Sequence, residues 1–81
     1  MKGDIKEVLF IIDNWAELSN EQLLESYNKI KHLHGKTSDD FDLFLSGLYD
    51  YSQNKIGYGV MSNWITVGWL ELRELTFNEE E

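Results

Sequence analysis

The amino-acid sequence predicts an all-α fold, a small four-helix domain. Two observations predict it: apolar residues recur at helical spacing in successive segments, and residues that favour helix N-caps precede these segments. The 81 residues suffice for one domain. At this size a domain buries only about 60% of the surface that its unfolded chain exposes. We assign residues 1–78 to a single helical domain and residues 79–81 to a frayed acidic tail.

The first predicted helix runs from about Asp4 to Leu18. Asp4 can cap it, and Glu7 three residues later fits the start of a capping box. Phe10 and Ile11 lie off the main apolar stripe, so the apolar face is wide and either packs on two sides or faces a partner. The main stripe consists of Ile5, Val8, Leu9, Ile12, Trp15 and Ala16.

The second predicted helix carries the strongest local signals. Ser19 and Gln22 match the capping-box pattern. Leu18 and Leu23 can form a hydrophobic staple across that cap. Gly35 stands where a C-terminal glycine ends a helix. The apolar stripe consists of Leu23, Leu24, Tyr27, Ile30 and Leu33.

The third predicted helix runs from about Asp39 to Gln53, with Thr37, Ser38 and Asp39 as candidate N-caps. Gly47 lies inside it and costs up to about 1 kcal/mol relative to alanine. A close helix crossing at this position would explain the glycine. The apolar stripe consists of Phe41, Phe44, Leu45 and Leu48.

The last segment is ambiguous. Residues 54–61 are predicted to be a connection because Gly57 and Gly59 interrupt them, and a fourth helix is predicted from Ser62 to about Phe77. The alternative is an α+β fold with three helices and a C-terminal β-hairpin that turns at Ser62 and Asn63, since this segment also contains β-branched residues in alternation. We favour the helix because a lone strand has no evident partner.

Charge and composition exclude some classes of partner. Fifteen acidic residues against seven Lys and Arg give a net charge of −8. This charge disfavours direct contact with nucleic-acid phosphates and anionic lipids and favours a protein with a basic surface. The apolar run Val8–Ile12 is too short for a signal peptide, and no segment approaches the roughly 20 apolar residues that span a bilayer. With no cysteine for disulfides or zinc, we expect a cytoplasmic protein.

No pattern in the sequence predicts catalysis, a metal site or a cofactor. His32 and His34 lie two apart on a predicted helix, so they point in nearly opposite directions and cannot share a metal ion. The Gly57–Ser62 turn lacks the strand and third glycine of a dinucleotide-binding loop, and no serine lies in a nucleophile elbow. We therefore expect no enzymatic activity.

An aromatic cluster around the glycine turn is the first candidate binding site. Tyr and Trp provide large contact area at low entropic cost and are enriched at interface hot spots. The alternative is that the tryptophans, Trp69 included, belong to the core. The candidate partner-binding residues are Tyr49, Tyr51, Tyr58 and Trp64, with Asp50, Asn54 and Asn63 as a polar rim.

An acidic face is the second candidate. It consists of Glu17, Glu21, Glu25, Asp39, Asp40 and Asp42. These carboxylates could imitate a row of phosphates, or they could serve solubility alone.

Together these features predict a small acidic, non-enzymatic protein-binding module, an inhibitor or antagonist of the antitoxin, immunity or phage type. The first alternative is a structural homodimer with a seam formed by Phe10, Ile11 and the last helix. The second is a nucleic-acid mimic that inhibits a DNA- or RNA-binding protein.

Overall fold

The structure is a computed structural model that describes the backbone of residues 2–79 and the side chains of residues 3–74. Within these residues it contains four α-helices and no strand. A 3₁₀ turn, Lys31–Leu33, extends the second helix. The all-α prediction is confirmed, and the alternative with a C-terminal hairpin is wrong. The helices are α1 (Lys2–Asn14), α2 (Asn20–Ile30), α3 (Asp39–Ser52) and α4 (Tyr58–Glu79).

Each helix packs antiparallel to the next, in an up-down-up-down bundle. The start of α1 meets the end of α2, where the Lys29 Nζ lies 3.3 Å from the Glu7 carboxylate. The start of α2 meets the end of α3, where Asn20 Nδ2 donates to Asn54 Oδ1 at 3.1 Å. The start of α3 meets α4, where the Ser38 hydroxyl donates to the Glu71 carboxylate. The ring closes because α1 also packs against α4.

The predicted capping box of α2 is confirmed. Gln22 N–H donates to Ser19 Oγ at 3.2 Å, and Ser19 N–H donates to Gln22 Oε1 at 2.9 Å. The helix ends at Ile30, and its last turn tightens into the 3₁₀ form, as helix C-termini often do. Gly35 follows with a φ of +76°, the left-handed conformation that glycine adopts without strain.

The buried core contains most residues of the predicted apolar stripes, but the prediction for α1 was wrong in two respects. Ile11, predicted to lie off the stripe, is fully buried, whereas Ala16 is exposed. The helix ends at Asn14, four residues earlier than predicted. Trp15, whose N–H donates to the Ile11 carbonyl at 2.8 Å, packs into the core just after this end. Of the two α1 residues proposed for a homodimer seam, Ile11 is therefore buried in the core of the domain, whereas Phe10 is exposed. The buried core residues are Val8, Ile11, Trp15, Leu23, Ile30, Leu33, Phe41, Phe44, Leu45, Leu48, Met61, Ile65 and Leu72.

Two glycines let α3 and α4 approach each other closely. A Cβ atom on Gly47 would lie 2.5 Å from Trp64 Cδ1, so the close crossing expected at this glycine is confirmed. Gly68 on α4 is its counterpart, since a Cβ there would lie 2.6 Å from Phe44 Cδ1. No sequence pattern predicted a close helix contact at Gly68.

The fourth helix begins four residues earlier than predicted, at Tyr58. Met61, predicted to lie in a connection, is fully buried, and its N–H donates to the Gly57 carbonyl at 3.0 Å. Core contact at Met61 thus outweighs the low helix propensity of Gly59. Trp69, which the alternative prediction assigned to the core, is 44% exposed. Glu79 is the last residue of α4, and residues 80 and 81 of the predicted tail lie outside the described residues.

None of the four described helices is both long and apolar enough to cross a membrane.

Candidate protein-binding site

The outer surface of α4 is unusually apolar for a protein of this charge. Residues 58–70 contain no Asp, Glu, Lys or Arg. A helix that is apolar on every side is normally covered on every side, and exposed apolar surface commonly marks an interaction site. Of the seven large apolar side chains exposed in the described part of the chain, four lie on α4: Tyr58, Val60, Trp69 and Leu70.

An open groove lies between α1 and α4, with a volume of about 340 Å³. Its apolar surface comes from Ile12, which is partly buried, and Ile65, which is buried. Trp69 stands at the groove with 44% of its surface exposed. Asp13 and Thr66 supply the polar atoms. The groove is thus an apolar slot with a tryptophan and a carboxylate at its edge.

Tyr58 extends this surface along the same edge of α4. Residues 58, 65 and 69 are seven and four apart, so they share one face of the helix. Tyr58 is 62% exposed, and its ring lies 4.6 Å from that of Trp15, tilted by 34°. Trp15 also makes an edge contact with Tyr51 at 5.5 Å. The α4 edge therefore carries one exposed aromatic residue at each end.

Asp13 is exposed and forms no ion pair with the side chains that the structure describes. Across the described side chains, 3–74, no Lys, Arg or His nitrogen lies within 4.0 Å of it. The two ion pairs in that range, Lys29–Glu7 and His32–Asp4, lie at the opposite end of the bundle. Asp13 therefore adds negative charge to the groove.

The residues predicted to form one aromatic surface face different neighbours. Tyr49 packs against Tyr27 of α2 at 5.3 Å, whereas Tyr51 and Tyr58 pack on Trp15. Residues 49 and 51 diverge because side chains two apart on a helix point about 200° apart. Trp64 is half-buried over Gly47, in agreement with the core reading of this residue. The remaining rim residues divide as well: Asp50 is half-buried, and Asn54 and Asn63 are exposed.

Asn54 terminates α3. Its φ is +61°, and the Lys55 N–H donates to the Asp50 carbonyl at 2.8 Å while the Asn54 N–H donates to Tyr51 at 3.1 Å. This bond pair is the Schellman motif with asparagine in the left-handed position. The Schellman motif and the hydrogen bond to Asn20 give Asn54 a structural role at the end of α3.

Replacing Asn54 with alanine is expected to lower the free energy of unfolding by about 1–2 kcal/mol, because alanine is strained in the left-handed region. Replacing it with glycine should cost less than about 0.5 kcal/mol, since glycine adopts this conformation freely. Urea denaturation of both variants measures the difference. Equal stability of the alanine and glycine variants would contradict this role.

The predicted acidic face is divided between two ends of the α2–α3 pair. Glu17 and Glu21 lie near the Asn20–Asn54 contact, while Asp39 and Asp40 lie at the far end of α2, roughly 16 Å away along its 11 residues. Glu25 is exposed between these ends. The Asp42 carboxylate accepts the Gly35 N–H at 3.0 Å and so holds the connection between the helices.

The two histidines have separate partners. His32 Nε2 lies 3.1 Å from the Asp4 carboxylate, and His34 Nε2 lies 3.3 Å from the Tyr27 hydroxyl. No group of three or more metal-binding side chains occurs among the residues that the structure describes.

Sequence reasoning identified Tyr58 but missed Ile12, Asp13 and Thr66 as lining residues of one groove. The available signal was the charge-free stretch 58–70. The chain matches no known family model, and no curated protein sequence or solved structure is significantly similar to it.

Proposed function

We propose that this protein is a non-enzymatic binding module that covers part of another protein's surface and so inhibits or antagonises it. An antitoxin, an immunity protein or a phage-type antagonist acts in this way. The observation that carries the proposal is the pair of exposed aromatic residues, Tyr58 and Trp69, on the same face of α4 as Ile65, which with Trp69 lines the open apolar groove. Such residues are enriched at the centres of protein interfaces. The net charge of −8 suits a basic partner, and a cytoplasmic location is part of the proposal.

The geometry favours this reading over the two alternatives. A nucleic-acid mimic needs a row of free carboxylates, whereas the Asp42 carboxylate accepts the Gly35 N–H and only Glu25 lies between the acidic residues at the two ends of the α2–α3 pair. The homodimer seam of Phe10, Ile11 and the last helix lacks Ile11, which is fully buried, and it would bring together two chains that each carry a net charge of −8. Binding of a partner protein at the groove requires neither a row of carboxylates nor a homodimer.

The test is capture of a partner from the native host by four forms of the protein. Wild type and the Leu43→Ala control should retain the same protein, because Leu43 is equally exposed but lies on α3. Tyr58→Ala and Trp69→Ala should each bind it roughly 30-fold more weakly, as expected for an interface hot spot.

Salt and concentration separate the alternatives. Binding through aromatic burial should persist in high salt, whereas a mimic should release its partner because exposed charges are screened over about 10 Å at 0.1 M salt. Light scattering should give a monomer. A tight dimer, or a partner retained equally by both groove variants, would contradict the proposal.

A further inference from the structure

We infer that the α1–α4 groove receives a Lys or Arg side chain presented by an apolar helix of the partner. This inference rests on the proposed function and specifies the chemistry of the contact. Asp13 and Trp69 line this groove together with the apolar residues Ile12 and Ile65.

The polar atoms of the groove call for a ligand that donates hydrogen bonds. The Thr66 hydroxyl already donates to the Ser62 carbonyl at 3.2 Å, so its oxygen is left to accept. The Asp13 carboxylate only accepts. Ammonium and guanidinium groups are pure donors, and both also bind the face of an indole ring through the cation–π interaction. A basic side chain therefore satisfies Asp13, Thr66 and Trp69 at once.

The apolar part of the groove fits the rest of such a side chain. Lys and Arg carry an aliphatic stem that packs on apolar surface while the charged end stays near water. Ile12 and Ile65 provide that surface in the same groove as Asp13 and Trp69. An acidic or purely apolar side chain would leave the Asp13 carboxylate repelled or desolvated without a partner.

The length of the surface indicates a helix rather than a small amine. Residues 58 and 69 are 11 positions apart on α4, which corresponds to about 16 Å, or three helical turns. A free amine would leave Tyr58 uncovered, whereas a helix lying along the groove would contact both aromatic residues. A second copy of this chain is disfavoured because each copy carries a net charge of −8.

The test is selection from a display library of amphipathic helical peptides with a fixed apolar face and randomised flanking positions. We expect enrichment of Lys or Arg at one position. In the selected peptide, replacing that residue with neutral citrulline or norleucine should weaken binding about tenfold. Asp13→Asn should cause a similar loss, and the two changes together should cost no more than either alone. Trp69→Leu should weaken binding several-fold, whereas the control Phe10→Leu should not.

Any of four results would overturn the inference. The selected peptides could lack a basic residue, or the library could yield no binder. The effects of the two changes could be additive, or Trp69→Leu could bind the peptide as tightly as wild type does. A dimer of the native chain that excludes the peptide would also overturn it. Capture from the host separates this inference from the proposed function. A partner lost by Trp69→Ala but retained by Asp13→Asn would leave the proposed function standing and refute the basic contact.

Discussion

Replacing Phe44 with alanine is expected to lower the free energy of unfolding by about 3–5 kcal/mol, the usual cost of removing a buried phenylalanine ring. Phe44 is fully buried, and its ring lies 5.4 Å from that of Phe41 and directly over Gly68 of α4. The close approach of α3 and α4 leaves little freedom for the helices to collapse into the cavity. Since domains of this kind are stable by only about 5–15 kcal/mol, the loss is a large fraction of the total free energy of unfolding.

Urea denaturation followed by far-ultraviolet circular dichroism measures this loss. The matched control is Leu43→Ala, at the preceding position of the same helix, where the side chain is 47% exposed. We expect the control to change stability by no more than about 0.5 kcal/mol, as surface substitutions usually do. A loss below about 1.5 kcal/mol for Phe44→Ala would contradict the packing described above.

Replacing Gly68 with alanine is expected to destabilise the protein by about 1–3 kcal/mol, the typical cost of an overpacked core. Helix propensity alone predicts the opposite, because alanine is favoured over glycine by about 1 kcal/mol within a helix. The new Cβ would lie 2.6 Å from Phe44 Cδ1 and 2.8 Å from Phe44 Cγ. Phe44 is fully buried, so its ring cannot move aside without displacing its neighbours.

Two further variants test the cause. Gly59→Ala lies on the same helix with nothing within 4 Å of its new Cβ, so we expect unchanged or slightly raised stability. Combining Gly68→Ala with Phe44→Leu should cost less than the sum of the single changes, because a smaller side chain opposite the glycine relieves the clash. Purely additive losses, or a Gly68→Ala variant as stable as wild type, would contradict the close-contact explanation.

Local sequence patterns were sufficient for the central pair of helices. The Ser19–Gln22 capping box and the buried stripe from Phe41 to Leu48 are both present as predicted. Such signals act within one or two turns of a helix, so they can be read without knowing the fold. The interior position of Gly47 likewise indicated a close crossing, although its counterpart Gly68 did not stand out.

The ends of α1 and α4 were placed less well. Trp15 packs against Tyr51 and Tyr58 immediately after the end of α1, and Met61 is fully buried one residue before the predicted start of α4. Both boundaries depend on burial against distant residues, which outweighs local propensity. The same reason explains why Ile11 rather than Ala16 faces the core.

For the candidate site, the amino-acid sequence alone showed that the protein is acidic, that it contains a charge-free segment with aromatic residues, and that it lacks the motifs of catalysis. It also identified Tyr58 as a candidate contact. Which side chains line the groove depended on helix packing, because Ile12 and Asp13 of α1 lie more than fifty residues before Ile65 of α4 in the chain. Helical register and antiparallel packing turn Tyr49 towards α2 and Trp69 towards α1, and these orientations exist only once the four helices have assembled.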